Sequence, residues 1–588
     1  MTHPVSRLRE LVSAAVVESF GPEHAAVDPA VHRSAFADYQ ADVALRLARA
    51  VRKPPLEVAK ALAAAIDASE LCEDVQVSPP GFVNFRLRRD VLETSINALV
   101  RDERAGVPRV ARAQTIVIDY SSPNVAKEMH VGNLRTTVIG DCLARLLGFQ
   151  GHRVVRQNHI GDWGTPFGML VEHLHDLGSE QSAAPALADL KAFYQAARSK
   201  FDADPSFADR ARQRVVLLQA GDPATLAIWR TLIQASLVYL RSVYQKLGVL
   251  LTDDDVRGES FYNPLLPRVA DELEQRGVAQ IDQGALCVMM PEFKNREGET
   301  LPLIVRKKDG GFGYAATDLA ALRFRVDELH ADRLLYVVGS PQQQHFSMVF
   351  AAARKAGWLP ESVHAEHVGF GSVLGADRKL LRTRSGDSPS LVELLDEATE
   401  RADAAVREKN AEMPAEMRAR VAQQVGIGAI KYADLSSERI KDYVFDWSRM
   451  LSFEGNTGPY LQYAHARICS ILRRAAEGGS ELAADLLAFN VPELRAVRLE
   501  QPAERALAIE LIELSSAVEA AASTLSPHRL CTYLYELASR FTAFFESCPV
   551  LKADTPEQRD SRLVVCGASR RALAVGLTLL GMGAPDRM

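Results

Sequence analysis

The sequence predicts an α/β protein in which a parallel-sheet central domain sits between an N-terminal α+β domain and a C-terminal all-helical domain. Three observations lead there. Residues 115 to 156 run strand, polar loop, helix, strand, which is how a parallel sheet begins. The first hundred residues mix amphipathic helical periods with a strand-like alternation, and beyond about Val421 the helical period dominates to the end. A length of 588 residues admits about three to four domains. With 47% hydrophobic and 24% charged residues, a disordered, collagen-like or coiled-coil chain is excluded.

Val5 to Phe20, Asp42 to Arg52 and Pro55 to Ala68 carry apolar residues at helical spacing, and Phe82 to Leu87 alternates as a strand. The charged stretch Arg101 to Arg112, broken by Gly106 and Pro108, reads as a linker, so the first domain is placed at residues 1–112. Thr115 to Tyr120 is β-rich, a polar loop follows, Gly132 to Leu147 reads as a helix, and Arg153 to Arg156 as a second strand. This is the opening of a Rossmann-type sheet. Residues 174–299 mix helices with polar loops and read as an insertion, after which strand signals resume at Leu334 to Val338 and Glu366 to Phe370. The central domain is thus placed at 113–450 and the helical domain at 451–588, with Gly478, Gly479 and Pro492 as breaks.

The 7 cysteines are scattered with no C-x-x-C pair, which favours free thiols in a reducing cytoplasm over zinc or disulfides. The longest apolar run, Ala572 to Ala584, is too short for a membrane span, so a cytoplasmic protein with no membrane partner is expected. With 69 basic against 75 acidic residues and a net charge of -6, any nucleic-acid contact must rest on local basic patches.

Three constellations carry chemistry. DYSSPNVAKEMHVGNLRTTVIGD (residues 119–141) puts Ser122, Asn124, Lys127, His130 and Asn133 between a strand and a helix N-terminus, where free backbone N–H groups and the helix dipole favour a phosphate. GADRKLLRTRSG (375–386) crowds Arg378, Lys379, Arg382 and Arg384 beside a single acid, Asp377, an arrangement that is costly unless an anion visits. GYAATDLA holds Tyr314 and Asp318 four apart, on one face if the segment is helical.

The first stretch resembles the signature of class I aminoacyl-tRNA synthetases in its arginyl-tRNA synthetase form, S-x-P-N-x-A-K-x-M-H-V-G-H-L-R-S-T. NHIGDWGTPFGML (158–170), GESFY (258–262) and GIGAIKYADLSSERIKDYVFDWSRMLSFEGNTGPYLQYAHARI (426–468) are similar to further segments of the same family, and the similarity runs to Met588. One position departs: Asn133 stands where the family has the second histidine of its HIGH motif. An amide donates a hydrogen bond to ATP but cannot carry an imidazolium's charge.

The resemblance implies ATP-dependent activation of L-arginine, with Mg2+ accompanying ATP, and transfer of the arginyl group to tRNA(Arg) by a monomeric, cytoplasmic enzyme whose first step requires bound tRNA. It assigns ATP to His130, Gly132, Asn133, Lys379 and Arg382. It makes Lys127, His130, Asn133 and Arg382 the catalytic residues, with transition-state charge on Lys127, Arg382 and Lys379, Lys127 replacing the lysine missing from a degenerate KMSKS loop. Arginine is assigned to Ser122, Asn124, Tyr314, Asp318 and Gln342, with the Asp318 carboxylate pairing the guanidinium and Tyr314 closing over it. Phe545 and Met588 match anticodon-contacting positions, and FADYQAD (36–42) a segment that meets the tRNA elbow. Asn133 leaves open a second reading, a paralogue that acylates a small-molecule amine, and a third, a silent tRNA-binding protein.

Overall fold

Ile116, Val117 and Ile118 are all buried, and in the computed structural model they form Thr115–Asp119, an inner strand of a four-stranded parallel sheet. The model describes residues 4–34, 36–125, 127–178, 189–294, 297–381, 389–491 and 496–588. Arg382, Arg384 and Pro492 lie outside the described residues.

The strand order is His364–His367, Arg333–Tyr336, Thr115–Asp119, Arg153–Gln157, with Arg333 opposite both His364 and Ile116, and Thr115 opposite Arg153. Alternation across the pleat divides the core in two. Ile116, Ile118 and Leu335 pack with the helix Gly132–Phe149, whereas Val117, Leu334 and Tyr336 pack with the helices Tyr314–Asp327 and Gln343–Lys355. The first crossover helix thus lies on one face and the helices of the two later crossovers on the other, which opens a crevice beyond the C-terminal ends of the two inner strands, where open α/β sheets bind ligands.

The strand predicted at Glu366 to Phe370 begins two residues earlier, because pairing with the neighbouring strand starts at His364; Val368 and Phe370 are buried in the loop that follows. The predicted strand at Leu334 to Val338 is likewise displaced to Arg333–Tyr336. Among the described residues of the inserted block stand the long helices Leu190–Ala203, Pro205–Gln219 and Pro223–Leu247, the shorter Glu259–Tyr262 and Leu266–Gln275, and an antiparallel sheet of Gln280–Asp282, Ala285–Lys294 and Thr300–Arg306, whose last strand falls past residue 299.

The N-terminal part holds a four-stranded antiparallel sheet, ordered Val31–Arg33, Tyr39–Ala41, Phe82–Leu87, Cys72–Ser78. Three of these strands escape the periodicity because two are three residues long and Cys72–Ser78 is mostly polar on its outer face. The helix Pro55–Ala65 ends three residues short of Ala68, and a further helix, Arg89–Arg101, packs against the C-terminal helix Pro556–Leu579. Arg505 of the C-terminal bundle donates to the Asp38 carboxylate at 2.6 Å, joining the two ends of the chain.

Candidate active site

At the end of Thr115–Asp119 the chain turns through Ser121 and Ser122, both left-handed at φ 71° and 45°. Such backbone costs about 1–3 kcal/mol per residue and persists only where its surroundings hold it. They do. Ser121 N–H donates to Thr136 Oγ1 at 3.1 Å, Ser122 N–H to Asn158 Oδ1 at 3.0 Å, and Ser122 Oγ donates to Asp119 Oδ1 at 2.8 Å while accepting from His159 N–H at 3.1 Å. Ser122 is therefore tied into the loop, and Asn124 is exposed beyond it. Gly161 lies against Asn124: a Cβ there would come within 2.2 Å of Asn124 Oδ1.

The signature loop then enters Gly132–Phe149, whose N-cap residue, Val131, offers no capping side chain. His130 Nδ1 accepts from Gly132 N–H at 3.0 Å, so Nε2 carries the proton; burial, and then the charge of Lys127, hold the imidazole below its usual pKa. Asn133 Oδ1 accepts from His130 N–H at 3.1 Å, which turns the amide nitrogen away as a donor. The two signature side chains thus present neutral N–H groups at a helix N-terminus. The Lys127 ammonium sits 5.0 Å from the Tyr194 ring of the inserted helices.

The residues that follow the basic segment meet this same loop. Leu374 bridges Leu380 across a tight turn that leaves Lys379 exposed at its tip, and Pro389 and Leu391, just past residues 382–388, pair with Val131 and Met129 of the signature loop at 3.1 Å and 2.9 Å.

Tyr314 is the first residue of the helix Tyr314–Asp327 and is 74% exposed, while Asp318, one turn in, is mostly covered. His345 Nε2 lies 2.6 Å from Asp318 Oδ2. Gln342, the residue singled out from sequence, is exposed at the end of a short 3-10 turn; the side chain that meets Asp318 is His345, three residues on. A second carboxyl also escaped the sequence reading. Burial pushes Glu259 up to about 8, and the charges of Asp162 and Asp318 add to the shift. Asp162 itself is raised by burial, although it accepts from Ser260 N–H and Oγ at 2.8 Å and 2.6 Å. Several partly buried acids that feel one another's charge suit a cation with many donors. The signal for Glu259 lay in GESFY, where an acid is embedded between an apolar ring pair and a glycine; His345 lay in the polar QQQH run that opens the helix Gln343–Lys355.

Two groups of potential metal ligands occur among the described residues, and cations already meet both. Arg570 Nε lies 3.2 Å from Cys469 Sγ in the group of His465, Cys469 and Asp586, and Arg210 and Arg214 bond Glu172 at 2.8 Å each beside His175 and Asp176. Far along the chain, Phe545 is half-buried with the Arg467 guanidinium 4.2 Å from its ring centre, and both line a cavity of about 770 Å³ with Tyr463, Arg473, Arg474 and Met588. Aromatic and cationic side chains in one hollow suit an unpaired base with its phosphates.

Residues 95–447 match the family described as tRNA synthetases class I (R), catalytic domain; residues 461–588 match the DALR anticodon binding domain; and residues 6–87 match the arginyl tRNA synthetase N terminal domain. Among curated proteins, the chain is 52% identical to an arginine–tRNA ligase of Thermobifida fusca over the whole of both chains, and 45% identical to one from a Synechococcus strain, again over the whole of both. Among solved structures it resembles the arginyl-tRNA synthetases of Thermus thermophilus and Plasmodium falciparum, each with a TM-score of 0.81 over 100% of both chains, at 28% and 27% identity.

Proposed function

This chain belongs to the arginyl-tRNA synthetases of class I, and from that membership we propose how its own residues divide the work. It activates L-arginine with ATP and transfers the arginyl group to tRNA(Arg). The arginine guanidinium lies between Asp318 and Glu259 beneath Tyr314, displacing His345 from the Asp318 carboxylate. Asn124 and the backbone of the turn at Ser122 receive the α-amino and carboxylate end. Gln342, exposed at the mouth, contacts the substrate only once it is bound.

ATP arrives with Mg2+ on its phosphates and lies over the N-terminus of Gly132–Phe149. An oxygen of the arginine carboxylate attacks the α-phosphorus in line; the new O–P bond forms as the bond to pyrophosphate breaks, giving arginyl-adenylate. His130 Nε2–H and the Asn133 amide donate to the α-phosphate oxygens as charge grows there. Lys127 leaves the Tyr194 ring to meet the departing pyrophosphate with Lys379 and Arg382. The terminal ribose hydroxyl of tRNA then attacks the activated carbonyl, and AMP leaves. Donors preorganised in a covered site contribute most of such a rate enhancement.

Residues 1–112 meet the tRNA elbow through the segment 36–42, residues 113–450 perform the chemistry, and residues 451–588 read the anticodon with Phe545 and Met588 in the cationic hollow. The enzyme acts as a monomer and requires bound tRNA for activation. Cytoplasmic placement is supported by 7 cysteines, all free and buried; among the described residues no helix is long and apolar enough to cross a membrane.

The observation that supports this reading most is the pairing of two buried-side carboxyls, Asp318 and the up-shifted Glu259, at one end of a crevice whose other end is a donor-rich helix N-terminus. Asp318→Asn tests it. Arginine-dependent ATP–pyrophosphate exchange should lose about 100-fold or more in kcat/KM for arginine, the cost of removing one member of a desolvated charge pair, with KM for ATP nearly unchanged. An unaltered kcat/KM would remove Asp318 from the pocket.

A further inference from the structure

Arginine must be held at both ends, and the two ends of its pocket come from different elements. Asp318 belongs to the helix Tyr314–Asp327; Ser122 and Asn124 belong to the loop after Thr115–Asp119. Discrimination by side-chain length therefore depends on how firmly that helix is fixed to that strand end.

Arg325 lies on the same helix seven residues after Asp318, about two turns along the same face. Its side chain is 1% exposed. Nη2 donates to Asp119 Oδ2 at 2.7 Å and Nε to Gln157 Oε1 at 2.6 Å, at the ends of two adjacent strands. The other oxygen of Asp119 accepts from Ser122 Oγ at 2.8 Å, and Ser122 Oγ accepts from His159 N–H at 3.1 Å. An unbroken chain of charge-assisted bonds thus runs from the helix that carries Asp318 to the loop that receives the other end of the substrate. A buried ion pair adds little net stability over a well-packed apolar pair, but it fixes distance and orientation, because a guanidinium fork has few ways to meet a carboxylate.

Resting on the function proposed above, we propose that Arg325 is a positioning residue that sets the length of the arginine pocket through Asp119, so that the enzyme selects arginine over guanidino amino acids one methylene longer or shorter. Arg325 touches no substrate. Its loss leaves Asp318 and the turn at Ser122 in place but lets the distance between them vary.

The test uses the full-length enzyme with a tRNA(Arg) transcript in ATP–pyrophosphate exchange, with arginine, homoarginine (one methylene longer) and 2-amino-4-guanidinobutyrate (one shorter) as substrates. A single methylene in a fitted pocket is worth about 10- to 200-fold. R325M should raise KM for arginine about tenfold or more, leave KM for ATP within about twofold, and narrow the preference for arginine over both analogues by about tenfold. R325K, which keeps a charge opposite Asp119 but loses the bond to Gln157, should narrow it less. If R325M melts below the assay temperature, R325K carries the test, and an unnarrowed preference there overturns the proposal. So does an R325M enzyme that is folded and keeps the wild-type preference, or one in which KM for ATP rises in parallel with KM for arginine. Absence of arginine-dependent exchange in the wild type would instead reject the function itself.

Discussion

Glu259 is protonated in the free enzyme near neutral pH, since burial and two neighbouring acids hold its carboxyl at about 8. In the proposed pocket the substrate guanidinium beside it favours the ionised form, so arginine binding should expel a proton below about pH 8. KM for arginine should therefore fall as pH rises from about 6 to about 8, by at most about tenfold per unit, and level off above. Glu259→Gln should bind arginine more weakly with that slope gone, as steady-state kinetics across pH will show; an unchanged slope would assign the proton elsewhere. The same scale decides what Asn133 is. Its Oδ1 holds the His130 backbone N–H and its amide nitrogen is left as a donor, so the substitution is accommodated by its surroundings. Asn133→His should give an adenylation rate no higher than wild type. Asn133→Ala removes both bonds and should cost about 10²- to 10³-fold in single-turnover adenylation; a small loss would show that the amide is idle.

The helix Gly132–Phe149, which carries the phosphate end in the proposed mechanism, is fixed by close approach to the strand it follows. A Cβ on Gly140 would fall 2.3 Å from the ring of Tyr120, which is fully buried. Gly140→Ala should therefore lower the melting temperature, by the cost of overpacking, about 1–3 kcal/mol, and raise KM for ATP as the helix N-terminus shifts; a calorimetric scan and exchange kinetics report both. This helix and its strand were legible from the sequence because a β-rich run, a polar loop and an apolar helical period follow in order. The strand His364–His367 was misplaced because its own residues are mostly polar and the apolar ones follow it. The candidate site residues follow the same logic. Asp318 and His130 sit in recognisable segments, but Glu259 and His345 meet the acids beside them only across more than twenty residues of sequence, which no local spacing encodes.

The three parts of the chain share one continuous apolar core: residues of the N-terminal sheet, the signature helix and the C-terminal bundle pack together. Lys431, buried in the helix Ala415–Leu435, donates to the Gly581 carbonyl at 2.7 Å at the end of the last helix, and burial holds its ammonium down to about 8 despite Asp141 nearby. The tail continues along the bundle, where Gln462 donates to the Gly583 carbonyl at 2.9 Å, and ends with Met588 in the hollow beside Phe545 and Arg467. Phe545→Ala should lower kcat/KM for tRNA about tenfold or more, the worth of one stacked base, with KM for arginine unchanged at saturating tRNA. Equal losses for both substrates would show a folding defect rather than a tRNA contact.

The whole account turns on which amino acid the intact enzyme activates. With tRNA(Arg) present, ATP–pyrophosphate exchange should proceed with arginine at least about 1,000-fold more efficiently than with lysine, leucine or any other standard amino acid, because a neutral side chain leaves acids placed for a forked cation unpaired and lysine's compact ammonium cannot bridge both. An uncharged amino acid matching or outrunning arginine would contradict it.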